Sequence, residues 1–225
     1  MEPKEFIFDL DGVITDTARY HYWAWKQLAD ELGYHFTQTD NERLKGVTRL
    51  QSFEIILEIN NATDKYSQDE KIALADRKNE YYKTMLNIIS ENDVLEKIPT
   101  FLSEVKSLGI KIALASVSHN AKTIVNRLGI QGMFDYIADP AQIHNSKPDP
   151  EIFLACANAL GLSPMDCIGF EDSQAGISAI HAAGMFSVGI GVKVTCLAPD
   201  LILSSTAELD IQQVIKSFQN ANKSI

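Results

Sequence analysis

Four short apolar runs stand out along the chain, and helix-like sequence separates most of them. Each run is rich in β-branched or aromatic residues, which is typical of a strand that is buried on both faces of a parallel sheet. The predicted strands are FIFDL (6–10), KIALAS (111–116), DCIGFED (166–172) and FSVGIGV (186–192).

Three helical patterns lie among the later strands. AKTIVNRLG follows the second strand and ends at Gly129. PEIFLACANALG begins at Pro150, with Asp149 as its cap, and ends at the glycine of its last position. SQAGISAIHAAG follows the third strand and closes at Gly184. Strands that alternate with helices of about ten residues predict a doubly wound α/β domain with a parallel sheet.

The pattern changes directly after the first strand. The next seventy or so residues show helical periodicity with charged faces, so we expect an inserted helical cap domain. Ligands of open α/β sheets bind at the carboxyl ends of the strands, and we expect the cap to cover that edge. The helical segments are 17–33, 49–60 and 68–90, and the predicted domains are 17–91 for the cap and 1–16 with 92–225 for the catalytic core.

The acidic balance of the sequence narrows the choice of partners. The 225 residues carry a formal net charge of −10, which disfavours nucleic acid and anionic membranes and also repels phosphorylated metabolites. A phosphate ester would therefore need lysine and arginine side chains placed locally. A compact architecture of this kind needs no second subunit, and we expect a monomer.

Cysteine usage and hydropathy indicate the compartment. The cysteines Cys156, Cys167 and Cys196 match neither a disulfide framework nor zinc-ligand spacing, which fits a reducing cytosol. The sequence has no apolar run of about 18 residues and no signal-peptide core at its start. We therefore expect a soluble cytoplasmic protein.

Side chains that could take part in catalysis or ligand binding lie where the predicted strands enter loops and in the loops themselves. They are Asp9, Asp11, Ser116, Ser118, Asn120, Lys147, Glu171 and Asp172. Each has an ordinary alternative: Asp-Gly can be the turn of a hairpin, a serine, asparagine or aspartate can cap a helix, and a lysine before proline is usually solvated.

The combination favours a site over these alternatives, because the carboxyl ends of parallel strands meet at one edge of the sheet. Two carboxylates about 4 Å apart repel by about 1 kcal/mol in water and by about 4 kcal/mol at an effective dielectric constant near 20. A divalent cation offsets this repulsion, and Mg²⁺ is the expected ion because it accepts carboxylates, keeps waters and bridges to phosphate. Lys147 supplies a second compensating charge.

These motifs resemble those of the haloacid dehalogenase superfamily of phosphotransferases. They occur in the family's order as DLDGV, LAS, the lysine of SKPDP, and GFEDS, and the resemblance extends over essentially the full length. The β-phosphoglucomutase group is the most similar, on the segments FDLDGVITDTARYHYWAW, RLKGVTR, LADRKN, ALASVS, IADPAQIHNSKPDPEIF and GFEDSQAGI. The resemblance implies that Asp9 and Asp11 end a central strand and that no hairpin forms there.

The resemblance also implies roles for the core residues. Asp9 would be the nucleophile that forms an aspartyl phosphate, and Asp11 would be the general acid and base. Ser116 and Lys147 would bind the oxygens of the transferring phosphoryl group. The residues implied to contact the non-transferring phosphate or the sugar are Val117, Ser118 and Asn120. The residues implied to hold one Mg²⁺ are Asp9, Asp11 through its carbonyl, Glu171 and Asp172.

The cap would carry specificity. Thr17, His21 and Trp25 are spaced to share one helix face, and the resemblance places His21 beside Asp11. The ordinary alternative makes Trp25 a core residue of the cap and His21 a surface residue. Arg49 resembles the residue that binds the distal phosphate, because its planar fork can hold phosphate with two hydrogen bonds. The other substrate-binding positions implied near it are Lys45, Gly46, Val47 and Ser52.

One position departs from the pattern of the group. Its members have a lysine in the segment that matches 74–79, and this lysine aligns with Asp76. An acid that faces the substrate would repel a phosphate, so the departure leaves the exact sugar phosphate open. It does not affect the aspartyl-phosphate chemistry.

Three functions fit these motifs to different degrees. The resemblance implies a mutase that interconverts β-D-glucose 1-phosphate and glucose 6-phosphate through phospho-Asp9 and a bound glucose 1,6-bisphosphate. A sugar-phosphate phosphatase on the same scaffold is the alternative, because water could attack phospho-Asp9 after a shared first half-reaction. A non-catalytic module that binds phosphorylated metabolites fits least, since all the expected catalytic carboxylates are present.

Overall fold

The computed structural model describes residues 2–44, 47–191 and 197–223. The chain divides into two compact units, one made of Met1–Asp16 with Ser90–Ile225 and the other of Thr17–Ile89. We refer to the first as the sheet unit and to the second as the helical unit. The helical unit ends at Ile89, slightly before the boundary that the sequence suggested.

Helices account for most of the regular structure in both units. The described helices of the helical unit are α1 (Ala18–Glu31), α2 (Gln38–Asn41), α3 (Arg49–Ile59) and α4 (Gln68–Leu86). Those of the sheet unit are α5 (Ile98–Ser107), α6 (Ala121–Arg127), α7 (Glu151–Ala159), α8 (Gln174–Ala182) and α9 (Ile211–Ala221). The three helices predicted for the helical unit correspond to α1, α3 and α4, whereas the four-residue α2 is too short to give a periodic signal.

The sheet unit is built on one parallel β-sheet. Its described strands are β1 (Glu5–Phe8), β2 (Lys111–Leu114), β3 (Tyr136–Ile137), β4 (Cys167–Glu171), β5 (Phe186–Ile190) and β6 (Leu201–Leu203). Among the described residues they pair in the order β3-β2-β1-β4-β5-β6. The predicted doubly wound α/β fold is confirmed, and the four predicted strands are β1, β2, β4 and β5. Strands β3 and β6 were not predicted, because two or three residues carry no periodicity.

Strand β1 lies in the centre of the sheet. Phe8 is opposite Leu114 of β2 and Phe170 of β4, and both pairings are parallel. The chain that follows does not return along β1, since Thr15 forms its antiparallel bridge with Val94. The hairpin interpretation of FIFDLDGVITD is therefore wrong.

The two faces of the sheet bury different side chains, because successive residues of a strand point to opposite faces. On one face Phe8 packs against Phe101 of α5 and Phe170 of β4, and the ring centroids of Phe8 and Phe170 are 4.5 Å apart. On the other face Ile7 belongs to a buried cluster with residues of α7 and α8. Helices on both faces leave the carboxyl ends of the central strands as the place where polar side chains collect.

Two helix starts differ in detail from the prediction. Pro150 is the N-cap of α7 and not its first residue, and Oδ1 of Asp149 accepts a hydrogen bond from the backbone N–H of Glu151 at 3.0 Å. The cap of α8 is Ser173, whose Oγ accepts from the N–H of Gly176 at 3.1 Å. Asp172 is therefore not the cap of that helix.

The helical unit has a hydrophobic core of its own. Trp25 of α1 is buried and stacks on Phe53 of α3 at a ring-centroid distance of 6.1 Å. The ordinary interpretation of Trp25 as a core residue is thus confirmed. Reciprocal capping boxes begin two of its helices, with Thr48 and Gln51 at α3 and Ser67 and Glu70 at α4.

Two observations bear on the compartment. Among the helices of residues 2–44, 47–191 and 197–223, none combines the length and the hydropathy that a bilayer crossing requires. Cys156 and Cys167 are buried free thiols, and burial raises the pKa of both. Cys196 lies outside the described residues.

Glu5 is an acid inside the sheet. Its side chain is fully buried, Oε2 accepts a hydrogen bond from Sγ of Cys167 at 3.2 Å, and Oε1 has no partner among the described residues. Burial raises the pKa of Glu5 from 4.5 to about 7, against the opposing hydrogen bond from Cys167. The ionised form of this side chain is therefore unfavourable in the folded protein.

We predict that Glu5→Gln changes how stability depends on pH. The glutamate ionises near pH 4.5 in the unfolded chain and near pH 7 in the folded chain, so wild-type stability falls as the pH rises through this window. Glutamine does not ionise, and the stability of the variant relative to wild type should increase over the same window. Urea unfolding at about pH 5 and about pH 8 measures this difference.

The matched control is Glu96→Gln, a change at an exposed position. It should leave the pH dependence of unfolding as in wild type. A Glu5→Gln variant with the wild-type pH dependence would contradict the raised pKa of Glu5.

Candidate active site

Asp9 lies at the end of β1 with both carboxylate oxygens engaged. Its backbone N–H donates to the carbonyl of Phe170 at 3.0 Å, so the pairing with β4 continues to this residue. Oδ2 accepts from the backbone N–H of Asp11 at 2.9 Å, and Oδ1 accepts from Nζ of Lys147 at 2.5 Å. The carboxylate therefore has a fixed orientation at the carboxyl edge of the sheet.

Lys147 lies between two acids. Its Nζ donates to Oδ1 of Asp9 and to Oε1 of Glu171, both at 2.5 Å, and to the carbonyl of Ala115 at 3.1 Å. The side chain is buried, so the alternative of a solvated surface lysine is wrong. Burial alone would lower the pKa of Lys147, but the charges of the two carboxylates outweigh it and raise the pKa above the ordinary value. The side chain is therefore a buried ammonium ion.

Glu171, the last residue of β4, is held by the start of the next helix. Its Oε2 accepts from the backbone N–H groups of Asp172 and Ser173, both at 3.0 Å, and from Oγ of Ser173 at 2.9 Å. A Cβ atom at Gly176 would lie 1.9 Å from the carboxyl carbon of Glu171. The glycine thus makes the space that this carboxylate occupies.

Three carboxylates form a group that could hold a cation. Asp9, Glu171 and Asp172 each offer an oxygen, and these oxygens lie within 4.8 Å of one another. Burial raises the pKa of Asp9 to about 6, with Lys147 acting against the rise and Glu171 adding to it. A hard divalent cation would favour the ionised form of these acids, so the donor set fits Mg²⁺. Asp11 is expected to contribute a carbonyl oxygen and is not one of the three carboxylates.

Gly12 allows the loop after β1 to approach Asp172 closely. Its φ is +80°, and a Cβ atom there would lie 2.3 Å from Oδ2 of Asp172. An L-amino-acid side chain would be strained at this φ and would also collide with a carboxylate of the group. Glycine at position 12 is therefore needed for this loop, which carries Asp11, to lie close to Asp172.

The residues after β2 form a series of serine turns. Ser116 is buried, and its Oγ accepts from the backbone N–H of Ser118 at 3.2 Å. Oγ of Ser118 in turn accepts from the N–H of Asn120 at 3.2 Å. Asn120 is the N-cap residue of α6, but its side chain does not cap the helix. Val117 is partly buried against the core of the sheet unit.

His21 of α1 has a buried lysine as its partner in the helical unit. Its Nδ1 lies 2.7 Å from Nζ of Lys78, and its ring stacks on Tyr82 with a centroid distance of 4.0 Å. Burial lowers the pKa of His21 well below its usual value, and the charges of Lys78 and Arg49 lower it further. The imidazole is therefore neutral. Because an ammonium only donates, Nδ1 accepts and Nε2 carries the proton.

Lys78 was not among the predicted site residues, although the helix contains a signal for it. The buried residues of α4 are Ala75, Lys78, Asn79, Tyr82 and Leu86, spaced as one face of a helix. A lysine at a position of this face predicts either a buried partner or a functional ammonium. The alternative of a surface histidine at position 21 also fails, because the ring is half-buried and contacts the buried Lys78 and Tyr82.

Arg49 is the first residue of α3 and contacts an acid. Its Nη1 lies 2.7 Å from Oδ1 of Asp76. Asp76 is exposed on α4, whereas Lys78, two residues later, is buried. Asp76, the position at which the sequence was expected to depart from the group, is thus an acid that pairs with the arginine.

The remaining predicted residues of the helical unit have backbone or core contacts. Thr17 is the buried N-cap residue of α1, without a side-chain capping hydrogen bond. Ser52 is buried, and its Oγ donates to the carbonyl of Thr48 at 3.0 Å. Val47 is partly buried. Lys45 and Gly46 lie outside the described residues.

Known proteins are similar to this chain in sequence and in structure. The sequence profile of haloacid dehalogenase-like hydrolases matches residues 4–184. The chain is 46% identical to β-phosphoglucomutase of Bacillus subtilis over 96% of both chains. It is 30% identical to phosphorylated carbohydrates phosphatase of Thermotoga maritima over 80% of this chain and 81% of that protein. The crystal structure of β-phosphoglucomutase from Clostridium difficile is similar with a TM-score of 0.93 and 43% identity, over 98% of this chain and 99% of that one.

We predict that Gly12→Ala weakens Mg²⁺ binding about tenfold or more, the usual cost of displacing a group that orients a metal ligand. The added Cβ must push Asp172 aside. The matched control is Gly109→Ala, because Gly109 has a similar φ of +73° but nothing within 4 Å of its Cβ position. Both variants should lose on the order of 1 kcal/mol of stability through backbone strain.

Calorimetric titration with Mg²⁺, combined with urea unfolding, separates the two effects. Equal Mg²⁺ affinity in the two variants would contradict the role of the Gly12–Asp172 approach.

Proposed function

We propose a reaction for this chain, which belongs to the haloacid dehalogenase-like hydrolase family. The chain interconverts β-D-glucose 1-phosphate and glucose 6-phosphate. The observation that carries the proposal is the carboxylate of Asp9, fixed at a strand end and bridged to Glu171 by the ammonium of Lys147. A nucleophilic carboxylate beside a buried cation is suited to accept a phosphoryl group. The identity to a β-phosphoglucomutase supports a sugar phosphate as its source.

Asp9 is the nucleophile in this proposal. A carboxylate oxygen attacks the phosphorus of glucose 1,6-bisphosphate, an acyl phosphate forms, and the bond from phosphorus to the sugar oxygen breaks. Asp11 donates a proton to that leaving oxygen and, in the reverse direction, removes one from the attacking hydroxyl. Phospho-Asp9 transfers its group to either glucose 1-phosphate or glucose 6-phosphate, so the bisphosphate is formed again and the two isomers exchange.

The transferring phosphoryl group is bound by Ser116 and Lys147. The ammonium of Lys147 already contacts Asp9, so it is placed to neutralise charge on oxygens bound to the same carboxylate. Most of the catalysis of phosphoryl transfer comes from such positioning and charge stabilisation.

One Mg²⁺ belongs to the proposal. Asp9, Asp172, Glu171 and the carbonyl of Asp11 would hold it. When bound, the ion supplies positive charge that offsets the repulsion between the nucleophile and an incoming phosphate. Glu171 accepts three hydrogen bonds through one oxygen and the Lys147 contact through the other, so it also orients its neighbours.

The helical unit supplies recognition of the sugar phosphate. Arg49 binds the phosphate that is not transferred, and the neutral His21 presents its Nε2–H as a donor because Lys78 occupies Nδ1. The other residues proposed to contact the substrate are Thr17, Lys45, Gly46, Val47, Ser52, Val117, Ser118 and Asn120, whereas Trp25 is a core residue of the helical unit.

The phosphatase alternative has weaker support. The phosphatase relative is 30% identical, whereas the mutase relative is 46% identical and matches nearly the full length of the chain. The two reactions differ in how long phospho-Asp9 survives in water. In a mutase this lifetime is long.

We also propose a cytoplasmic monomer that acts on a free hexose phosphate. The buried free thiols Cys156 and Cys167 support a reducing compartment.

The decisive experiment follows both isomerisation and phosphate release. With Mg²⁺ and a trace of glucose 1,6-bisphosphate, the wild-type chain should convert β-glucose 1-phosphate to glucose 6-phosphate, measured by coupled oxidation of glucose 6-phosphate. Asp9→Asn should abolish the conversion, because an amide cannot form the acyl phosphate. Steady release of inorganic phosphate without isomer would identify a phosphatase instead.

Arg49→Ala should separate substrate binding from phosphoryl transfer. We predict that it raises KM for β-glucose 1-phosphate by about tenfold or more, since one charged phosphate contact is lost. Phosphorylation of Asp9 by a small donor such as acetyl phosphate should change little, because that donor has no second phosphate. Equal losses in the two assays would argue against a distal-phosphate role for Arg49.

A further inference from the structure

The ion pair of Arg49 occupies the group that a phosphate would use. Nη1 of Arg49 lies 2.7 Å from a carboxylate oxygen of Asp76, which is the kind of contact that a guanidinium makes with a phosphate oxygen. Arg49 also begins α3, whose N-terminal N–H groups and dipole favour a negative charge nearby. Asp76 therefore stands where an external anion would be attracted.

The fold does not depend on Asp76. Its side chain is 64% exposed, while Arg49 is 25% exposed, so solvent screens the pair. Exposed ion pairs add little to stability, because screening and lost side-chain freedom offset the attraction. Asp76 is also absent from the buried face of α4. Its charge thus acts mainly on ligands that reach Arg49.

Many other basic side chains of the helical unit also have acidic partners. The pairs are Lys26–Asp30, Arg43–Glu58, Lys71–Glu54, Arg77–Glu31 and Lys83–Glu80. An anion that approaches any of these five described side chains therefore meets a cation whose charge an acid already compensates. The Arg49–Asp76 pair differs from the rest because Arg49 is proposed to bind substrate.

We propose that Asp76 is an internal competitor for the substrate phosphate at Arg49, and that it lowers the affinity of the helical unit for anions. The inference rests on the role of Arg49 in the proposed function. A phosphate must take the place of the Asp76 carboxylate, so every anion binds Arg49 less tightly than it would to a free guanidinium. A sugar phosphate with further contacts stays bound, whereas a small anion held mainly by Arg49 does not.

A double-mutant cycle tests the inference on the full chain. Calorimetry with glucose 6-phosphate measures Kd for wild type, Asp76→Asn, Arg49→Ala and the double variant. Asp76→Asn should bind about two- to fivefold more tightly, which corresponds to an exposed ion pair that need not be broken. In the Arg49→Ala background the same change should have no effect, because the competed group is gone.

The matched control is Glu58→Gln. It removes one negative charge from a pair with Arg43 at nearly the same exposure, 62% against 64% for Asp76. Its Kd for glucose 6-phosphate should equal that of wild type, which separates local competition from the lower net charge. Inorganic phosphate, used as a second probe, should inhibit Asp76→Asn at lower concentration than wild type.

Unchanged affinity in Asp76→Asn would overturn the inference. Equal tightening in Glu58→Gln, or in the Arg49→Ala background, would also overturn it, because the charge would then act through the overall field of the protein. All of these results are measured as binding affinities and not as turnover rates. A wild-type chain that fails to isomerise sugar phosphates would refute the proposed function and leave the binding cycle to be judged separately.

Discussion

The contact of one buried ammonium with two carboxylates is the interaction on which the candidate site depends. Each ion removed from water costs several kcal/mol, and only close geometry with further hydrogen bonds offsets that cost. Lys147 meets this condition through Asp9, Glu171 and the carbonyl of Ala115. These three groups come from the ends of β1, β4 and β2, which are neighbours in the sheet. The parallel sheet thus places two acids close together, and the ammonium between them offsets their repulsion.

Two glycines also shape the group of carboxylates. Gly12 and Gly176 are positions where a Cβ atom would overlap the carboxylates of Asp172 and Glu171. The carboxylates of Asp172 and Glu171 therefore occupy the space that a side chain at position 12 or 176 would fill. N–H donors at the start of α8 then hold Glu171, in agreement with the preference of helix N-termini for negative charge. Order in this cluster comes from steric exclusion as much as from attraction.

The strand ends of the sheet unit could be predicted because the chemistry of parallel sheets is directional. Apolar runs gave β1, β2, β4 and β5, and with them the positions of Asp9 and Glu171. The short strands β3 and β6 have no periodicity to detect, and the partner of His21 lies 57 residues away in sequence. The helical spacing marks position 78 as part of the buried face of α4, but it does not identify His21 as the partner of Lys78. Such contacts depend on tertiary packing, which local sequence does not encode.

Lys147 and Arg49 illustrate two ways in which an acidic chain can pair a positive charge. Lys147 is enclosed, with its charge shared between two carboxylates that are themselves largely buried. Arg49 is paired with one exposed carboxylate, which an anion can replace at small cost. The first arrangement suits a group that must keep one position through a covalent step. The second suits a group that must bind a phosphate and release it, and exposure is the physical property that separates them.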